Sequence, residues 1–457
     1  MTARSMLPAA ERALALEHLW MPYTQWNDLV EEGGPRILIR GEGCRVWDSE
    51  GREYIDGLSG LEACAIGYGR DDVVDAIAEQ LRQLPFFDLF RYASRPAVNL
   101  AAKLAEITPG SLSKVFFTPG GSEAIEVAIK LARQYHYNAG EKARTRIVSR
   151  TGAFHGSTFG AMSVDGHTLA GKTHIWEPLP NAPLFFQGPY HYRCEHCATS
   201  EGCTNACLDG LRAIISQVGA ETIAGVVVDP AATYIGVSPT PPAYLQELRE
   251  ICSTNGILLI IDEIITGFGR TGRMFCCEYA EVVPDIMTMS KGLSSGYLPI
   301  GAVITDEIIH ERFVGGFNET FAHGQTYGGH PACAAAALAS IATIEREHLV
   351  ERAAKIGEYF LAQLATLREH ELVGDVRGIG LLAGVELVAD KTTSLQPDPP
   401  GSLGLEVRKA CREEGLTTLA VYPGDVMLFA PPLVVTEADI DELTSRFGRA
   451  LMRVQRS

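Results

Sequence analysis

No apolar stretch in the chain reaches the ~18 residues that a membrane-spanning helix needs. Residues 1–17 hold no uninterrupted hydrophobic core followed by a small-residue cleavage site. The expectation is therefore a cytoplasmic protein with no membrane segment. Basic charge is also short, at 39 Lys and Arg against 56 Asp and Glu, a net charge of -17. A surface of that sign repels nucleic acid and anionic membranes, so small molecules are the expected partners. Without a secretory leader, the eleven cysteines read as reduced thiols and exclude a disulfide framework. No internal repeat or long low-complexity tract interrupts the chain. What remains is a 457-residue globular chain, 46% hydrophobic, too long for one core and ample for two or three domains.

Apolar runs alternate with amphipathic stretches. Val115-Phe116-Phe117, Ile147-Val148, Gly225-Val226-Val227-Val228, Ile257-Leu258-Leu259-Ile260-Ile261 and Ile286-Met287-Thr288-Met289 read as short buried strands. Helical patterns cover residues 122–137 and 244–254, the second closed by Asn255-Gly256 in the manner of a C-cap. This rhythm predicts an α/β fold with a mostly parallel sheet covered on both faces. An Ala-rich helix is expected over 331–347, then a second αβ region opening at Gly374-Asp375-Val376-Arg377-Gly378-Ile379-Gly380 and ending in an amphipathic helix. Residues 396–402, Gln-Pro-Asp-Pro-Pro-Gly-Ser, form a loop by composition.

Two motifs carry less chemistry than they suggest. Gly267-Phe268-Gly269-Arg270-Thr271-Gly272 matches G-x-G-x-x-G, yet five residues separate it from the strand, no helix face follows it, and Asp285 precedes the next strand instead of closing it. That excludes a dinucleotide fingerprint. Cys194, Cys197, Cys203 and Cys207, near His191 and His196, are soft ligands able to hold zinc or an iron-sulfur cluster. Their spacing fits neither a zinc ribbon nor a ferredoxin run. The favoured reading is a cysteine-rich surface insertion with no metal, a metal site being the alternative.

Lys291, in Ser290-Lys291-Gly292-Leu293, follows an apolar strand directly, where a lysine can be kept from water and act as a nucleophile toward an aldehyde. Asp262-Glu263 closes the Ile257–Ile261 run, so a carboxylate faces the crevice where open α/β sheets bind ligands. Thr118-Pro119-Gly120-Gly121-Ser122-Glu123-Ala124 joins a strand to a helix start, which suits a phosphate. Ala153-Phe154-His155-Gly156 offers an aromatic plate at another strand end.

With these residues assembled, the chain resembles the class III (ω-type) aminotransferases, of the fold-type I pyridoxal phosphate enzymes. The likeness runs from His18-Leu19-Trp20-Met21-Pro22-Tyr23 to Ala430-Pro431-Pro432-Leu433. Its most specific parts are Asp262-Glu263-Ile264-Ile265-Thr266-Gly267-Phe268-Gly269-Arg270-Thr271-Gly272, Ser290-Lys291-Gly292 and Gly324-Gln325-Thr326-Tyr327-Gly328-Gly329-His330-Pro331. The resemblance implies a seven-stranded, mostly parallel sheet in a large domain (61–335), with a smaller αβ domain built from residues 1–60 and 336–457. It implies pyridoxal 5'-phosphate bound through Lys291, with Asp262 on the ring nitrogen and Gly121 and Ser122 on the phosphate. Phe154 and Ile264 would flank the ring, with His155 and Asp229 also at the cofactor. Thr326 would reach the neighbouring subunit's phosphate in a homodimer. The implied reaction moves an amino group from an amine or ω-amino compound to a keto acid or aldehyde. Racemisation, elimination or carbon-carbon bond formation on the same scaffold is the alternative.

Three positions depart from the family pattern. Asp229-Pro230 stands where many relatives have Glu-Pro, and Val421 stands where an arginine pairing with that glutamate is expected. The usual binding of a keto acid carboxylate is therefore not assumed. Glu62, in Ser59-Gly60-Leu61-Glu62-Ala63-Cys64, occupies the place of a pocket tryptophan. Facing inward it favours a cationic or hydroxyl-rich substrate; turned to solvent it does nothing there. Tyr23, Phe86 and Phe87 are candidates for the pocket rim.

Overall fold

The computed structural model describes residues 7–166, 173–180, 184–194, 205–421 and 424–456. Its centre is a seven-stranded sheet. In chain order the strands are β1 (Lys114–Thr118), β2 (Arg146–Arg150), β3 (Phe185–Phe186), β4 (Ile223–Val228), β5 (Leu258–Asp262), β6 (Ile286–Met289) and β7 (Gly301–Thr305), arranged spatially as β1-β7-β6-β5-β4-β2-β3. The pairs β6/β5, β5/β4, β4/β2 and β2/β3 are parallel, whereas β7 runs antiparallel to both β6 and β1. The sheet is mostly parallel, as the strand-helix alternation predicts. The reversed β7 and the short β3 were not among the expected strands, and Ile257 falls just outside β5.

The strands read as apolar runs because both sheet faces are covered. Along β4, Ile223, Val226 and Val228 join one core cluster, and Ala224 and Val227 the other. Leu259 and Ile261 of β5 likewise oppose Leu258 and Ile260, which is the two-residue period of a strand. Helix α1 (Gly121–Asn138) covers one face with Ala124, Ile125, Ala128 and Leu131. Helix α2 (Pro242–Thr254) covers the other with Tyr244, Leu245 and Leu248. Past α2, Gly256 adopts φ +63°, the left-handed cap that the Asn-Gly pair predicts. The Ala-rich helix α3 (Pro331–Arg346) packs against the helices Asp71–Gln83 and Arg95–Ile107.

The two ends of the chain meet. The strands Leu38–Glu42, Arg45–Asp48 and Glu53–Asp56 form a sheet with Leu416–Thr417, which pairs in parallel with Ile55 and Asp56. A further sheet contains Val373–Ile379, Leu382–Leu387, Val426–Phe429 and Leu419–Val421, and the helix Glu437–Gln455 closes the chain. No helix among the described residues is long and apolar enough to cross a membrane.

Asp56 fastens this junction. Its carboxylate is 2% exposed and accepts from Leu58 N (3.0 Å), Gly60 N (2.6 Å), Tyr68 OH (2.6 Å) and Thr417 Oγ1 (2.7 Å). Losing it orphans buried donors on both chain ends, and each such donor costs about 1–3 kcal/mol. Asp56→Ala is therefore expected to lower stability by about 3 kcal/mol in urea unfolding. A change within about 0.5 kcal/mol of the parent would remove Asp56 from this role.

Candidate active site

The parallel register sets two carboxylates side by side. Val228 lies opposite Ile261, so Asp229 and Asp262 emerge together at the C-terminal edge of β4 and β5. Thr288 of β6 lies opposite Asp262 and donates to its Oδ1 at 3.1 Å, alongside Ile264 N at 3.0 Å. His155, in the loop after β2, meets the other oxygen, Nδ1 to Oδ2, at 2.7 Å. Burial alone would lower the pKa of His155, but Asp262, Asp229 and Asp165 outweigh it, so the pKa rises above the ordinary value. His155 N in turn donates to Asp165 Oδ1 at 2.5 Å. Asp165 is pushed up to about 7, chiefly by burial and against the pull of His155.

The start of α1 closes one side of the cavity. Gly121 is its first residue, and the serine that follows accepts from Ser157 N through Oγ at 3.1 Å. The approach is so close that a Cβ on Gly156, at φ +146°, would lie 2.5 Å from Ser122 Oγ. On the opposite side, a Cβ on Gly121 would come within 3.0 Å of Ile264 Cδ1. Free N–H groups at the positive end of an eighteen-residue helix make an anion cradle that side chains would fill.

Lys291 follows β6 by two residues and opens a short 3-10 turn at φ +42°. Its Nζ donates to Glu62 Oε2 at 2.6 Å. Glu62 is 1% exposed, so its solvent-facing reading is excluded, and its other oxygen, Oε1, has no hydrogen-bond partner among the described residues. Ser59 and Glu62 also sit in left-handed backbone, at φ +51° and +52°, with Gly60 at +71° between them. Non-glycine residues rarely adopt this region, and each costs on the order of 1–3 kcal/mol.

Most expected residues converge. Gly121, Ser122, Phe154, His155, Asp229, Asp262, Ile264 and Lys291 line one cavity of about 160 Å³, together with Thr233, Thr266 and Ser290. Phe154 is backed by Tyr234, ring centroids 4.5 Å apart. Other candidates lie outside that lining. Thr326 is exposed at the surface of the protomer. Tyr23 is exposed and bonds Ser157 Oγ at 2.6 Å; Phe86 packs on Tyr327 and His330, and Phe87 on Tyr92. A larger open groove of about 780 Å³ between the helix Leu208–Val218 and α2 holds none of the expected residues and is bridged by an Arg212–Glu247 ion pair.

Asp229 lines the cavity and is ion-paired. It has a guanidinium partner in Arg150, Nη2 to Oδ1 at 2.6 Å, and Arg150 Nη1 also donates to Thr240 Oγ1 at 2.9 Å. Arg150 closes β2, 79 positions from Asp229, so local sequence could not reveal the pair. Val421 is buried in an apolar cluster. Arg270 was likewise missed: it donates to Leu381 O (3.1 Å), Pro431 O and Ser59 Oγ (3.1 Å). Burial lowers its pKa to about 10 against the support of Glu62 and Asp56. No helix begins within residues 267–272, which agrees with excluding a dinucleotide loop. Cys197 and Cys203 lie outside the described residues. Cys194 and Cys207 are 1% and 2% exposed, so these two thiols are not on the surface.

The sequence matches the family described as Aminotransferase class-III over residues 30–451. The chain belongs to the class III aminotransferases. It is 36% identical to the adenosylmethionine-8-amino-7-oxononanoate aminotransferase of Nitratidesulfovibrio vulgaris over 97% of this chain and 82% of that protein. It is 37% identical to the putrescine–pyruvate aminotransferase of Pseudomonas aeruginosa over 96% and 95%. Among solved structures, an (S)-enantioselective ω-transaminase from Thermomicrobium roseum superposes with a TM-score of 0.92 at 38% identity, covering 99% of this chain and 100% of that one. This class III aminotransferase is thus a fold-type I enzyme that uses pyridoxal phosphate to move amino groups between small-molecule amines and carbonyl compounds. The donor set fits that cofactor: a fixed carboxylate for a ring nitrogen, a helix start for a phosphate and a lysine for an aldehyde.

Beside Asp262, Glu263 is fully buried. Its carboxyl is pushed up to about 7 by burial, against the Thr266 hydroxyl and the Cys277 N–H that hold the anion. The folded protein therefore keeps a proton that the unfolded chain releases above the ordinary value of 4.5, and stability falls as pH rises from 4.5 to about 7. Glu263→Gln removes that loss. Relative to the parent, the variant is expected to gain about 2–3 kcal/mol in urea unfolding between about pH 5 and pH 8. A difference that does not change with pH would show that Glu263 is ionised throughout.

Proposed function

We propose that Lys291 holds the cofactor covalently and moves the substrate proton, and that Asp262 fixes the charge of the cofactor ring. Gly121 and Ser122 take the phosphate, Phe154 and Ile264 bound the ring, and His155 and Asp229 support it from below. When bound, pyridoxal phosphate supplies the electron sink that makes the bond at the amine-bearing carbon labile. The chain supplies position and proton transfer.

The oxygen Oε1 of Glu62, buried without a hydrogen-bond partner among the described residues, carries the substrate reading. Once Lys291 commits its Nζ to the cofactor, Glu62 is left with one direct partner fewer, and a buried carboxylate without a cation costs several kcal/mol. A second ammonium on the donor restores the pair. The amine donor is therefore a diamine or a related ω-amine with a distant cationic centre, and the acceptor is a keto acid or aldehyde. The similarity to a putrescine–pyruvate aminotransferase supports this choice.

The enzyme works in this reading as a cytoplasmic homodimer in which Thr326 of the partner subunit completes the phosphate site. Exposed rings support a missing partner: Trp20 is 90% exposed, Phe317 94% and Tyr92 67%, in a protomer whose Thr326 also faces outward.

Lys291→Ala is expected to bind pyridoxal phosphate without the visible absorbance of the lysine adduct and to lose turnover by at least about a thousandfold. Retention of that absorbance would reject Lys291. Glu62→Gln is expected to lower kcat/KM for a diamine relative to a monoamine of equal length by about 30-fold, the equivalent of about 2 kcal/mol. An unchanged ratio, measured with the same carbonyl acceptor, would overturn the role given to Glu62.

A further inference from the structure

Residues 151–166 leave the central sheet after β2 and return to it, Thr151 bridging Gly166. Within this loop the short helix Phe159–Met162 is clipped to α1: Gly160 N donates to Glu126 Oε1 at 2.7 Å, and Ala161 and Val164 are buried in the core cluster that α1 covers. Asp165 follows directly, its own N–H on Met162 O at 3.1 Å. Its place is therefore set by α1 and the core. It stands outside the cavity lining.

From there the Asp165 carboxyl reaches back ten positions. Oδ1 accepts from His155 N at 2.5 Å, the Gly156 N–H also bonds this carboxyl, and Ser157 N donates to Ser122 Oγ at 3.1 Å. Three consecutive N–H groups are thus taken up, two by Asp165 and one by the start of α1. Phe154 and His155, which this stretch carries, line the cavity. Asp165 is 4% exposed and His155 2%, so water is a poor replacement for the acceptor. Gly156, at φ +146° and without a Cβ to restrict it, is the backbone that gains most from an outside hold.

We infer that Asp165 is a positioning residue of the cofactor site: by accepting from two consecutive backbone N–H groups it fixes the loop that sets Phe154 beside the ring and His155 against Asp262, before any cofactor enters. The inference rests on the cofactor reading given to Phe154, His155 and Ser122. The hold is one of acceptor geometry. Nothing among the described residues donates to the second oxygen, Oδ2, so a single oxygen does the work. Asparagine keeps such an oxygen and alanine does not.

The test is equilibrium dialysis of pyridoxal phosphate against full-length protein freed of cofactor. Asp165→Ala is expected to raise the dissociation constant about tenfold or more, and Asp165→Asn to stay within about threefold of the parent. An alanine variant within about threefold, or an asparagine variant as weak as the alanine one, would overturn the inference. Phe154→Ala and Ser122→Ala in the same assay test the reading beneath it. If they weaken binding and Asp165→Ala does not, that reading stands and this inference fails. If they leave binding unchanged, the reading itself fails, and a loss with Asp165→Ala alone counts against both. Hydrogen exchange on the cofactor-free parent decides the matter even if Asp165→Ala does not fold: slow exchange at the amides of residues 155–157 is expected, and exchange at the rate of an unstructured peptide would overturn the hold.

Discussion

Asp262 brings a carboxylate, 5% exposed, to the edge of a sheet whose neighbouring strands are apolar throughout, and the surrounding structure answers that charge. Three donors converge on its two oxygens: a hydroxyl from the next strand, a backbone N–H from its own turn and an imidazole from the loop after β2. The parallel register places the first, and the Asp-x-x turn places the second. The third requires residues 151–157 to fold back over the sheet, which brings Phe154 and Gly156 with it. One buried charge therefore fixes the aromatic wall and the packing of Ser122 against Gly156. A ligand presented to Asp262 meets a carboxylate already oriented by three hydrogen bonds.

The same reasoning explains the concentration of strained backbone. Ser59, Glu62 and Lys291 hold positive φ angles because their side chains are spoken for by groups distant in sequence. Ser59 Oγ donates to Ala430 O at 2.6 Å and accepts from Arg270, while Lys291 and Glu62 hold each other. Asp56 braces the same turn through Leu58 N and Gly60 N. Strain of this kind persists only where surrounding contacts outweigh it, and here those contacts come from both ends of the chain.

What could be read from sequence was local. Apolar runs marked β1, β2, β4, β5 and β6, because strands covered on both faces need nothing polar. Lys291, Asp262 and the start of α1 were legible because each sits immediately beyond such a run. Strand direction was not legible, since the run Ala302-Val303-Ile304 looks the same whichever way it points; hence the antiparallel β7 was missed. Pairings across 79 or 229 positions were equally invisible. Val421 stands where the family's arginine partner is usual, and the fold instead pairs Asp229 with Arg150 from a neighbouring strand. The inward turn of Glu62 depended on a kink at Gly60 that sequence alone leaves undetermined.

Glu62 lies outside the cavity lining and is connected to it through Lys291. Arg270 is buried and bonded to two backbone carbonyls, so its positive charge is retained although the hydrogen bonds go elsewhere. It supports Glu62 through space, and Glu62 in return helps to keep Arg270 protonated. Lys291 is the direct partner, and in the proposed reading it is also the residue that the cofactor engages. A tryptophan at position 62 would leave Lys291 and Arg270 without this nearby carboxylate. In the proposed reading, engagement of Lys291 leaves Glu62 with the through-space support of Arg270 alone, and a cation entering with the substrate restores a direct partner.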